Sequence, residues 1–151
     1  FCMQKQIEMM DYEPQLPYGG TFFQYRGSLL NWCQIGRSVG MEERSALEAI
    51  DLEKQYRKRY ADQLALHLAG KNIPVTVALG GSTSLDIYPN GWDKTYGLQH
   101  YPDCEVYFAG DRCDPGGNDW HIYEKLKPFG RSFKVTSPED TVRLIEQFIN
   151  S

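Results

Sequence analysis

Residues 109–120 read AGDRCDPGGNDW, and they decide how the second half of the chain folds. They close EVYFAG (105–110), a run apolar enough for a strand buried on both faces. Asp111 comes next, and then Pro115, Gly116, Gly117, Asn118 and Asp119. A strand ending on Gly110-Asp111 puts a carboxylate at the C-terminal edge of a parallel sheet, where open α/β sheets bind ligands. The glycines let backbone approach an anion or a metal, and Asn118 and Asp119 open the next helix. Hard oxygen donors of this kind suit magnesium, which takes one or two carboxylates and fills its shell with phosphate oxygens and water. The same residues also read as a turn whose acids only cap a helix, and on composition the two readings stand level.

The elements downstream extend the α/β reading. GGNDWHIYEKL (116–126) opens a helix, SFKVT (132–136) is a strand, and SPEDTVRLIEQFI (137–149) is a final helix. In that helix Ser137 caps, Pro138 takes the first turn, and Glu139 and Asp140 lie at the positive end. Strand alternating with helix predicts a parallel-sheet unit, too short to be a self-sufficient doubly wound domain. Just upstream, NGWDK (90–94) is a turn that leads into a short helix and carries Lys94.

Further upstream the rhythm changes. Residues 1–10 read as the tail of a helix, and EPQLPYGG (13–20) as a loop. TFFQYR (21–26) and SLLNWCQ (28–34) are two strands joined at Gly27. A helix spans Met41 to Ala69, its buried face marked by Leu47, Ile50, Tyr60, Leu64 and Leu68. VTVAL (75–79) and STSLDIY (82–88) follow as strands around Gly80 and Gly81. In the second, Leu85 and Ile87 face one side, with Ser84, Asp86 and Tyr88 on the other. The expected fold is therefore an antiparallel α+β unit over residues 1–89, then an α/β unit over 93–151.

Composition narrows the functional classes. The chain has 151 residues, a net charge of −4 and no basic tract, which argues against a nucleic-acid partner. No apolar run reaches the roughly 18 residues of a membrane span, and no signal peptide is visible. Four cysteines without a CxxC pair read as reduced thiols in a cytosolic protein. His67, His100 and His121 lack any nucleophile setting and read as structural. Arg26 shares a strand face with Phe22 and Gln24, while Arg37 and Arg44 flank SVGMEE. Guanidinium forks match phosphate oxygens. Clustered cations repel by about 4 kcal/mol at ~4 Å and an effective dielectric of 20, so convergence would call for a bound dianion. Spacing alone does not show that they converge, and scattered surface arginines stay the favoured reading of these residues taken by themselves.

GTFFQYR, NWCQIGRS, EER, GGSTSLDIYPNGWDK, GDRCDPGGND and VTSPEDT occur together and in one order. In this they resemble the eukaryotic-type phosphomannomutases of the haloacid-dehalogenase superfamily, from about Leu16 onward. The resemblance implies a substrate-binding, dimerising cap over residues 1–89 and the C-terminal half of a Rossmann-like core over 93–151. It implies that Asp111 binds Mg2+, that Asp119 supports the metal site, and that Lys94 steadies a phosphoaspartate. Arg26, Arg37, Arg44 and Ser84 would hold the substrate phosphate, and Asp86 the sugar hydroxyls. It also implies a cytoplasmic homodimer in GDP-mannose biosynthesis. Its hexose phosphate would pass from mannose 6-phosphate to mannose 1-phosphate, with a sugar 1,6-bisphosphate as activator.

The sequence departs from the family pattern in one major respect. The family's nucleophile and acid/base lie in a DxDxT motif, and these 151 residues contain no DxD. The chain also opens on Phe1 within a helical pattern, so it is expected to be a fragment without the N-terminal part of the core, inactive alone. Smaller departures are Gln34 where the family favours Pro before IGRS, and Arg112 for a common Lys. Two alternatives remain: a sugar-phosphate phosphatase of the same superfamily, in which water accepts the phosphoryl group, and a non-catalytic phosphosugar-binding or dimerising fragment.

Overall fold

Trp32 organises the first half of the molecule. In the computed structural model, which describes residues 1–150, it is fully buried in β2 (Leu30–Cys33). Its ring stacks against Phe23 of β1 (Phe23–Tyr25) at 5.8 Å and against Tyr60 at 5.7 Å. Its indole N–H donates to Gln6 Oε1 at 2.9 Å, satisfying the one polar atom of the ring. Successive residues of a strand point to opposite faces, so burying Trp32 turns Asn31 to the other side. With β3 (Val75–Gly80) and β4 (Ser84–Pro89) the sheet has the order β1-β2-β4-β3, antiparallel throughout. Phe23, Trp32, Leu85 and Leu79 form one cross-strand row, and Gln24, Asn31, Asp86 and Ala78 the next. The first row joins a core supplied by Met9, Leu47, Tyr56 and Leu64. The second row belongs to the polar face.

The predicted helix over 41–69 is two helices, α2 (Met41–Lys54) and α3 (Tyr56–Ala69), which follow α1 (Cys2–Tyr12). Between them Gln55 adopts a left-handed conformation, φ 54° and ψ 38°. Such a conformation costs a non-glycine residue on the order of 1–2 kcal/mol, so something must hold it. Asp51 does: its buried carboxylate accepts from the Arg57 backbone N–H at 2.8 Å and from Arg57 Nε at 2.7 Å. That clamp satisfies a free N–H at the start of α3 and fixes the bend.

The molecule divides into two compact units, Phe1–Asn90 and the segment from Gly91 onward. In the second, β5 (Phe108–Gly110) pairs in parallel with β6 (Ser132–Lys134). α4 (Trp120–Leu126) precedes β6, and α5 (Pro138–Ile149) follows it. The strand predicted over 105–110 is shorter and wetter than expected: it begins at Phe108, and Tyr107 remains 47% exposed. Tyr107 packs on Phe148 of α5, ring centroids 4.7 Å apart, so its apolar surface meets one helix instead of the interior of a wide sheet. SFKVT likewise keeps only Ser132–Lys134 as strand. The cap of α5 is as read: Ser137 Oγ accepts from the Asp140 N–H at 3.2 Å and the Asp140 carboxylate accepts from the Ser137 N–H at 3.2 Å.

Candidate functional site

Two groups of polar side chains stand out, one in each unit. On the polar face of the four-stranded sheet, Asn31 is 2% exposed and lies in register with Asp86. Its Nδ2 donates to Asp86 Oδ1 at 2.6 Å and to Ser84 Oγ at 3.0 Å, and its Oδ1 accepts from Arg37 Nη1 at 3.0 Å. Ser84 in turn donates to the Gly80 carbonyl at 2.7 Å. Gly80 leaves room for this carboxylate, because a β-carbon there would come within 2.6 Å of Asp86 Oδ2 and the aspartate would have to shift. Arg44, on the first turn of α2, donates through Nη1 to Thr83 Oγ1 at 3.3 Å and through Nη2 to the Arg37 carbonyl at 3.0 Å. Neither Arg37 nor Arg44 joins an ion pair among the described residues. Arg26 stands apart from this network. It is exposed beyond the end of β1, where its Nε is 3.4 Å from Gln24 Oε1.

In the second unit, Lys94, Gly110, Asp111, Asp119, Thr136 and Ser137 line a pocket of about 350 Å³. Lys94 is brought there by Asp93, which caps the 3-10 helix Lys94–His100 by accepting from the Thr95 N–H at 2.7 Å. Burial alone would raise the Asp93 carboxyl, but the Thr95 hydroxyl and N–H, with His121 and Lys125 beyond, hold it below its usual value. Lys94 Nζ pairs with Asp119 Oδ1, and Asp119 Oδ2 accepts from the Arg112 N–H at 3.1 Å. Asp119 is 2% exposed, whereas Asp111 at the end of β5 is exposed. Gly110 makes room for this arrangement, since a β-carbon there would lie 2.6 Å from Asp119 Oδ2. The buried Cys113 thiol donates to the Gly110 carbonyl at 3.3 Å. Burial, and then the Asp119 carboxylate, push that thiol up from its ordinary value, so it stays neutral.

Among the described residues, one unit thus holds two arginines without an ion-pair partner, and the other an exposed carboxylate beside a lysine–aspartate pair. Comparison with known proteins gives the family. The family profile described as eukaryotic phosphomannomutase matches residues 8–151. The chain belongs to this family. It is 37% identical over 134 residues to the phosphomannomutase of Drosophila melanogaster, covering 86% of this chain and 51% of that protein. It is 44% identical over 124 residues to the Arabidopsis thaliana phosphomannomutase, covering 82% and 49%. Against the Saccharomyces cerevisiae phosphomannomutase it is 38% identical over 134 residues, covering 87% and 51%. The chain thus spans about half the length of the phosphomannomutases it matches.

Of the residues that resemblance to phosphomannomutases singles out, Arg37, Arg44, Ser84 and Asp86 share one network, and Lys94, Asp111 and Asp119 share one pocket. The pocket's donors fit magnesium as a partial set. Asp111 offers a hard, exposed carboxylate, while Lys94 and the Arg112 N–H engage Asp119 from both sides. No group of three His, Cys, Asp or Glu placed to hold a metal occurs among the described residues. Two members of the first network, Asn31 and Thr83, are absent from the sequence reading. The available signal was a lone amide within the apolar strand LLNWC (29–33), whose alternation aims it at the face of Asp86.

Proposed function

We propose that this chain is part of a phosphomannomutase that interconverts mannose 6-phosphate and mannose 1-phosphate. The observation that carries the proposal is that Arg37 and Arg44, joined by the bond from Arg44 Nη2 to the Arg37 carbonyl, have no direct ion-pair partner among the described residues, in a member of this family. A guanidinium without an internal ion pair is a ready partner for a phosphate dianion. Arg37 and Arg44 grip the phosphate that is not being transferred, with Arg26 and Ser84 as further contacts, and Asp86 accepts from sugar hydroxyls. Asp111 holds Mg2+, whose bound form would offset charge on the phosphoryl oxygens. Asp119 orients Lys94, and the lysine cation steadies a phosphorylated carboxylate during transfer. Phosphoryl transfer needs little from the protein beyond such positioning and charge compensation.

In this reading a nucleophilic aspartate receives the phosphoryl group from a sugar 1,6-bisphosphate and returns it to the monophosphate sugar. That aspartate and its acid/base partner lie outside the 151 residues, which contain no DxD sequence. The working enzyme is then a longer, cytoplasmic polypeptide that pairs with a second copy through residues 1–89, and these residues act as the cap of a haloacid-dehalogenase core. The test is an assay of the full-length gene product with mannose 1-phosphate, Mg2+ and a sugar 1,6-bisphosphate. Formation of mannose 6-phosphate is expected. Release of inorganic phosphate without isomerisation would reassign the protein as a hydrolase.

A further inference from the structure

The buried amide of Asn31 lies between two opposite charges. Arg37 Nη1 donates to its Oδ1 at 3.0 Å, and its Nδ2 donates to Asp86 Oδ1 at 2.6 Å. The second Nδ2 hydrogen goes to Ser84 Oγ at 3.0 Å, and the Ser84 hydroxyl is itself committed to the Gly80 carbonyl at 2.7 Å. The orientation of the amide is fixed by charge: flipped, it would turn N–H groups toward a guanidinium and an oxygen toward a carboxylate. Although one side chain bonds both, Arg37 and Asp86 form no ion pair with each other.

A direct pair would be the ordinary outcome for an arginine and an aspartate that bond the same side chain. A bidentate guanidinium–carboxylate contact would claim the same fork that recognises a phosphate, and a ligand would have to break it first. A neutral amide takes only one of the five guanidinium N–H groups and leaves the others for an anion. The burial of Asn31, 2% exposed, makes the spacer rigid, and Gly80 keeps the sheet open around the Asp86 carboxylate. We infer that Asn31 is a positioning residue, a neutral spacer that keeps Arg37 and Asp86 from pairing so that the guanidinium stays open to phosphate. The inference rests on the reading of Arg37 and Arg44 as a phosphate grip.

The test is a double-mutant cycle read with inorganic phosphate, which carries no sugar hydroxyls and therefore reports the arginine end alone. Dissociation constants are measured by calorimetry at low salt for wild type, Asn31→Ala, Asp86→Asn and the double variant. The Asn31→Ala chain is expected to bind phosphate about tenfold more weakly or worse, the scale of a hydrogen bond to a charged group. Adding Asp86→Asn removes the carboxylate that would capture Arg37, and affinity should return to within about threefold of Asp86→Asn alone. A purely structural role for the amide would leave the double variant as weak as Asn31→Ala, and that result overturns the inference. So does an Asn31→Ala chain that binds as wild type does. Wild type that takes up no phosphate overturns the reading of the arginines themselves, and the inference with it. If Asn31→Ala loses its cooperative melt, Asn31→Leu, closer to the amide in volume, takes its place in the same cycle.

Discussion

Gly80 and Gly110 lie in different units yet meet the same constraint, since at each a β-carbon would lie 2.6 Å from a carboxylate oxygen. In the sequence these glycines read as strand ends. The packing adds that each leaves room for a carboxylate, Asp86 in one case and Asp119 in the other. Gly110→Ala should therefore displace Asp119 from Lys94 and cost about 1–3 kcal/mol in urea unfolding, as overpacking of a tight site does. A variant with wild-type stability would mean that the carboxylate moves freely. The acids and the lysine were legible because their motifs carry them. Asn31 and Thr83 were not, because their role depends on which strand lies alongside, and cross-strand register is a tertiary fact.

At the scale of elements, the hydrophobic alternation of β4 and the capping signature of α5 were sufficient to place both. The break between α2 and α3 was not legible. Gln55 is an unremarked polar residue in a helical stretch, and its left-handed turn is imposed by the Asp51–Arg57 clamp. A second clamp ties the loop after α1 to α2 and α3. The buried Glu13 carboxylate accepts from Lys54 Nζ, from Tyr56 Oη at 2.7 Å and from Gln15 Nε2 at 2.7 Å. Its bond from Lys54, then that from Tyr56, outweigh burial and hold its carboxyl below the usual 4.5. A carboxyl depressed in the folded state stabilises fully above its unfolded value, and loses that contribution as pH falls through its folded value. Wild type should thus lose stability on acidification from about pH 5, and Glu13→Gln should flatten that part of the profile. Parallel pH–stability curves for the two chains would remove Glu13 from the acid response.

For the whole molecule, the sequence predicted a mixed α/β protein, and the structure has it: among the described residues, a four-stranded antiparallel sheet with three α-helices in one unit, and a two-stranded parallel sheet with two α-helices in the other. Among the described residues no helix is long and apolar enough to cross a membrane. The lengths of β1, β5 and β6 were overread, because apolar runs such as VYF are equally satisfied by packing on one helix. What unites the functional reading is that Arg37 and Arg44 have no direct ion-pair partner among the described residues. Calorimetric titration of this chain with mannose 1-phosphate addresses that point directly. Saturable single-site binding is expected, weakened by about 1.5–3 kcal/mol in Arg44→Ala, as for a lost hydrogen bond to a charged group. No saturable binding by wild type, or an affinity that the substitution leaves unchanged, would refute it.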